Sequence, residues 1–145
     1  MRFILIRILW LLALGVSGMI CYLSWVADSR MQLVPWLPHG LAAWADSGGP
    51  VEKMRTAVPV ALASFLLTLI GRLMGWKYWF VSGVGAVLIL VIITEAGQFF
   101  LPQRNPNWGD VLRGAAGAVV GLVVGLAAVL MLSLSSRWGR RCASP

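Results

Sequence analysis

The sequence predicts an all-α polytopic membrane protein, a bundle of four transmembrane helices with an interfacial loop outside the cytoplasm. Two observations carry this expectation. Of 145 residues, 59% are hydrophobic and 12% are charged, and the mean hydropathy is +0.84. Soluble domains carry about 25% charged residues, so this chain has too little polar surface to cover a globule in water. The apolar residues also gather into four runs, near the roughly 20 residues that cross a hydrocarbon core. The length suits a single domain, 1–145, with no room for a separate soluble one.

The first run covers residues 3–26. Arg2 just before it and Arg7 near its start resemble the start of a signal peptide, but the run is longer than an h-region and no small-x-small cleavage site follows. Met19 and Ile20 before Cys21 are a poor fit to lipoprotein processing, so an uncleaved span is expected. In residues 27–50, Pro35, Pro38, Gly48, Gly49 and Pro50 break regular helix. Leu33, Val34, Trp36, Leu37, Leu41 and Trp44 then leave two readings, a segment lying on the outer leaflet or a mobile loop.

The second span is set at residues 54–73, with Pro59 in its first turn, where proline is tolerated. Its strictly apolar part, 57–70, is short, and Arg55 and Arg72 must extend toward the two interfaces. The third span covers residues 79–100 and the fourth 111–133. Along the fourth, Gly117, Gly121 and Gly125 recur at four-residue spacing. Small residues so placed let a neighbouring helix backbone approach closely, here within the bundle in preference to a homodimer seam.

Four spans put both termini on the side of the loop at residues 71–78. That side carries Arg2, Arg7, Arg72, Lys77, Arg137, Arg140 and Arg141 with no acid, while all five acids fall on the other. The positive-inside rule assigns the basic side to the cytoplasm. Trp25, Trp76, Trp79, Trp108 and Trp138 stand near span ends, where amphipathic rings prefer to sit. The formal charge of +7 does not indicate a nucleic-acid partner, because the basic residues are dispersed at span ends. Cys21 and Cys142 are too far apart in this topology to suggest a disulfide. His39, the single histidine, has no companion ligands, so neither a metal nor another cofactor is expected.

The functional signal lies where the third run meets the fourth. Ionisable residues at the edge of a span are costly to desolvate and need a partner or a task. Glu95 and Gln98 share a helix face, as do Asp110 and Arg113, and Arg104 sits between them in a hairpin expected at residues 101–109, with Pro102 and Pro106. The topology adds Glu52 and Lys53. Six groups, Glu52, Lys53, Glu95, Gln98, Arg104 and Asp110, are thus expected to converge on one pocket outside the cytoplasm.

At these residues the chain resembles the VanZ-like family of small bacterial membrane proteins. The family pattern of E-x-x-Q, then an Arg, an Asp about six residues later and a Gly-rich continuation is matched by Glu95, Gln98, Arg104, Asp110, Gly117 and Gly121. An earlier acidic-Lys pair is matched by Glu52 and Lys53, but the family His three residues on is Thr56, and the family Asn four after the Asp is Gly114. The resemblance covers residues 52–125 and implies a cell-envelope role in the bacterial cytoplasmic (inner) membrane. The family's namesake is linked with low-level resistance to the lipoglycopeptide teicoplanin.

Three functions fit such a pocket. As a binding module, Lys53 and Arg104 would receive an anionic headgroup on a membrane lipid, a lipid-linked glycan or a lipoglycopeptide, since the guanidinium fork matches phosphate geometry. As an accessory subunit, the chain would join a membrane-protein partner in envelope polysaccharide assembly. As an enzyme, Glu95 and Asp110 would act as base and acid on a lipid-linked substrate. No serine elbow or Cys-His pair supports the enzyme, and the binding module is preferred. Against all three stands mutual neutralisation, in which the charges only fix helix register.

Overall fold

The computed structural model describes residues 2–25, 30–101 and 108–142, the side chains at 49–53, 55, 80, 82 and 134–142 excepted. Over these residues the chain is helical, without strands. The helices are α1 (Arg2–Trp25), α2 (His39–Ala45), α3 (Gly49–Met74), α4 (Trp79–Gln98) and α5 (Trp108–Cys142), with a 3-10 turn at Met31–Leu33. Three of them are long and apolar enough to cross a membrane, namely α1, α3 over Thr56–Met74 and α5 over Trp108–Ser133. The described apolar stretch of α4, Gly83–Gln98, is shorter.

The surface fits that composition. Along α1 only Ala13 and Ile20 are buried, whereas Phe3, Leu11 and Leu14 stand well exposed. So do Ile89 and Ile92 on α4 and Val119, Val120, Val123 and Val124 on α5. Contiguous apolar surface of this extent is a liability in water and natural against lipid.

Helix directions follow from what touches what. The Arg2 guanidinium donates to the Leu73 carbonyl, and Ala13 packs with Leu66 and Ile70, so α1 runs antiparallel to α3. Trp79 at the start of α4 lies against Gly71 and Gly83 lies against Leu67 and Thr68, so α4 is antiparallel to α3 as well. On α5, Gly117 meets Ala57, Gly121 meets Ala61 and Gly125 meets Thr68, which makes α5 parallel to α3. One end of the bundle therefore holds the start of α1, the end of α3 and the start of α4. The opposite end holds the ends of α1 and α4 and the starts of α3 and α5.

The α3–α5 seam is the closest approach in the molecule. A Cβ on Gly117 or Gly121 would collide with the carbonyls of Ala57 and Ala61, and one on Gly125 would lie 2.6 Å from the Thr68 methyl. Beside the glycines, the Ser64 hydroxyl donates to the Ala118 carbonyl at 2.7 Å. Val60, Ala63, Val87, Val91 and Ala118 complete the buried centre with Ile20 of α1.

Three features depart from the sequence expectation. Helix α3 starts at Gly49, where Pro50 supplies a ready-made first-turn φ, so Pro59 stands inside the helix instead of in its first turn. Its missing N–H leaves the carbonyl of residue 55 without the usual helical donor. At the other end α3 runs to Met74, one residue past the expected span and through the first half of the expected loop. Gly75 then stops it at φ 74°, donating to the Arg72 carbonyl while Trp76 donates to Gly71, the two bonds of a Schellman motif.

The third departure is the segment after α1. Pro38 and Gly48 bracket α2 instead of abolishing helix there, the proline just ahead of it and the glycine at φ 76° beyond it. The Asp46 carboxylate accepts from the amides of Met31 and Gln32, both at 2.9 Å, and ties the 3-10 turn to the end of α2. Met31, Ala42 and Ala45 bury themselves there against Leu23 and Leu37. Over its described residues this segment is a folded cap, with the Trp36 ring tilted at 53° against Tyr22 of α1, their centroids 5.6 Å apart.

Candidate functional site

Among the described residues, the last turn of α4 gathers three buried polar side chains, Thr94, Glu95 and Gln98. Glu95 is 9% exposed and Gln98 7%, and their spacing of three puts both on one helix face. The Gln98 amide Nε2 donates to Glu95 Oε1 at 3.4 Å. One residue earlier, the buried Thr94 hydroxyl donates to its own helix at the Val91 carbonyl, at 2.8 Å. Burying such groups is tolerable only where each finds a partner, and in this turn each does.

Helix α1 closes over that turn. The Trp25 indole Nε1 donates to the Thr94 carbonyl at 3.2 Å, joining the last residue of α1 to the last turns of α4. The ring can lie so close because residue 97 is glycine, where a Cβ would stand 2.7 Å from Trp25 Cε2. Thr94, Gly97 and Trp25 thus form one fitted contact between α1 and the turn of α4 that carries Glu95 and Gln98.

The start of α5 supplies the second polar pair. Arg113 and Asp110, 33% and 31% exposed, form an ion pair one turn apart. Asp110 in the first turn also meets the positive end of the helix dipole. Next in the chain, Gly114 lets the helix settle on α4, since a Cβ there would fall 2.9 Å from Val91 Cγ1. The α3 register follows from Ala57 facing Gly117, so the backbone at 53 stands one turn before that contact, as Arg113 does on α5.

Of the six residues expected to converge, Glu95 and Gln98 are in direct contact, and Asp110 sits at the same end of the bundle, paired to its neighbour on α5. Glu52 and Lys53 lie in the opening of α3 at this end, but their side chains fall outside the described residues. Arg104 lies outside the described residues altogether. Gly117, Gly121 and Gly125 face α3 of the same chain.

Two residues left out of the expected pocket belong to this end. Arg113 was visible as the spacing partner of Asp110, and the ion pair gives that spacing its meaning. Trp25 was visible only as an interfacial ring; its hydrogen bond across 69 positions has no local sequence signal beyond the small residue at 97.

Among the described residues no group of three or more His, Cys, Asp or Glu side chains could hold a metal ion. No family model matches this chain, and no curated protein and no solved structure matches it.

Proposed function

We propose that this chain is a four-span protein of the bacterial inner membrane, similar to the VanZ-like family, that binds an anionic lipid or lipid-linked headgroup at its polar end. In this reading α4 also crosses the membrane, as the third of four spans, both termini face the cytoplasm, and the capping segment at residues 30–48 rests on the outer leaflet. Exposed Leu33, Trp36, Leu41 and Trp44 on that segment favour an interfacial seat.

The observation that carries the binding role is the buried Glu95–Gln98 pair where two apolar helices end and two begin. Hydrogen-bonding groups kept at such depth can receive a polar headgroup while its chains stay in lipid. Lys53 and Arg104 would supply the positive charge, and the Asp110–Arg113 pair would hold the opening of α5.

Binding is favoured over acid–base catalysis by the partner of Asp110. An aspartate engaged by Arg113 within its own helix is committed to anchoring α5, and a proton donor to substrate needs a freer carboxyl. The departures from the family pattern point the same way. Gly114, where that pattern has Asn, is packed against Val91 and leaves no room for a side chain without displacing it.

Lipid bound to the purified chain, identified by mass spectrometry, tests the role. Arg104→Ala should lose most of the anionic or glycan-bearing lipid that the unaltered chain carries. Equal lipid on both would leave internal neutralisation as the role of these charges. Labelling of single cysteines placed at Ser47 and at Trp76 tests the orientation, with only the first accessible from outside an intact cell.

A further inference from the structure

The opposite end of the bundle offers a different chemistry. Helices α1 and α5 flank α3 without touching each other, and they leave a groove of about 440 Å³. Leu5, Leu9, Leu69 and Leu73 line it from α1 and α3, and Val129 and Leu132 from α5. At its mouth stand Arg2 and Arg72, both exposed.

Among the described residues these two cations meet no Asp or Glu in this part of the fold. The groove residues come from α1, the end of α3 and the later part of α5, and the sequence has no Asp or Glu at 1–27, 54–94 or 111–145. In the sequence all five acids fall between those stretches, and of the described ones Asp46, Glu95 and Asp110 sit toward the other end of the bundle. Arg2 spends one of its five N–H groups on the Leu73 carbonyl, which fixes the guanidinium at the groove mouth and leaves the rest of the fork open.

We infer that this groove seats one anionic phospholipid, its phosphate between Arg2 and Arg72 and an acyl chain along the leucines. The inference rests on reading α1, α3 and α5 as spans, which sets the groove facing lipid, and is independent of any ligand at the Glu95 end. A zwitterionic lipid offers the same chains, but its own ammonium cancels the charge that two arginines select. The guanidinium fork takes phosphate oxygens in pairs, which a shallow leucine surface alone does not do.

The test uses the full chain in mild detergent, with phosphatidylglycerol or phosphatidylcholine added and retention read by native mass spectrometry. One phosphatidylglycerol should survive at activation energies that strip phosphatidylcholine. Arg2→Gln with Arg72→Gln should weaken its retention by about thirtyfold, the effect of two cations at an anionic surface. The Lys pair at the same positions should restore most of it. Val129→Trp, which fills the apolar part and leaves both arginines, should also expel the lipid.

Equal retention of the two lipids, or phosphatidylglycerol unaffected by the Gln pair, overturns the inference, and so does a dimer that forms in its place. Circular dichroism on each variant separates loss of the lipid from loss of the fold. Extraction of the membranes with alkaline carbonate checks the spans separately: a chain that resists extraction yet shows no lipid preference refutes the groove alone. Arg104→Ala should leave the retained phosphatidylglycerol unchanged, because that residue belongs to the other end.

Discussion

Along α5, Gly117, Gly121 and Gly125 bring two backbones together by shape alone, whereas two turns earlier Asp110 and Arg113 hold the same helix by charge. The seam between α3 and α5 tolerates almost no added volume. The polar end, with Glu95, Gln98 and Trp25 nearby, is an assembly of directed contacts that can be exchanged one at a time. The difference matters because lipid tails are as apolar as leucine, so close packing and interhelical hydrogen bonds replace water exclusion as the forces between helices. A seam of this kind specifies where α5 lies. A polar end of this kind specifies what can be brought to it.

The sharpest way to break the seam is Gly121→Leu. Its new side chain would meet the Ala61 carbonyl, which is backbone and cannot swing aside, and the Ser64 Cβ at 2.9 Å from the first added carbon. Overpacking against backbone should destabilise the bundle by about 3 kcal/mol, measured by unfolding in a denaturing detergent. A loss below a third of that would mean α5 stands off α3 further than the glycine contacts imply.

The polar end should answer chemistry where the seam answers volume. Glu95→Ala removes the acceptor of the Gln98 amide in a buried place and should cost about 2 kcal/mol. Glu95→Gln keeps size and hydrogen-bonding capacity and should cost less than about 0.5 kcal/mol. Equal losses for the two would show that charge, and not the contact with Gln98, is what Glu95 contributes.

Polar groups also lie within the seam, and they split it further. Ser64 and Thr68 are one turn apart on α3 and fully buried, but Ser64 donates to Ala118 while the Thr68 hydroxyl has no hydrogen-bond partner among the described residues. Ser64→Ala should destabilise by about 0.6 kcal/mol, the usual worth of an interhelical hydrogen bond in lipid. Thr68→Val should act in the opposite direction, stabilising by about 1 kcal/mol, because it replaces an unsatisfied hydroxyl with a methyl of similar size. The same unfolding assay reads both. Losses of the same sign would mean that shape governs the whole seam and that its hydroxyls count for nothing.

The two regions were unequally legible in the sequence. Helical class and the apolar runs could be read because hydropathy is a property of each residue alone, and the glycine face could be read because its period is local. The Glu95–Gln98 and Asp110–Arg113 spacings were visible for the same reason. What resisted reading depends on distant partners: the Trp25–Thr94 bond, the burial of Thr68, and the fold of residues 30–48, where Asp46 reaches back to the amides of Met31 and Gln32. The start of α3 was misplaced because apolar content marks the lipid-crossing part of a helix and is silent on the turns before it. Pro50 was the residue that marked the true beginning.

The smallest expected effect is at Arg113, and it separates anchoring from recognition. Arg113 and Asp110 are each about one-third exposed, so water screens their attraction. An ion pair three residues apart on a helix surface contributes about 0.4 kcal/mol, and Arg113→Ala should cost no more than that in stability. Its loss nonetheless frees the Asp110 carboxylate at the end of the bundle where Lys53 and Arg104 are proposed to meet an anionic headgroup. A freed carboxylate would compete for those cations, so lipid retained at that end should fall by more than the stability change predicts. Arg113→Lys, which keeps the charge, should restore it. Retention that tracks stability alone in both variants would reduce the pair to a helix anchor and return the polar end to the same structural role as the seam.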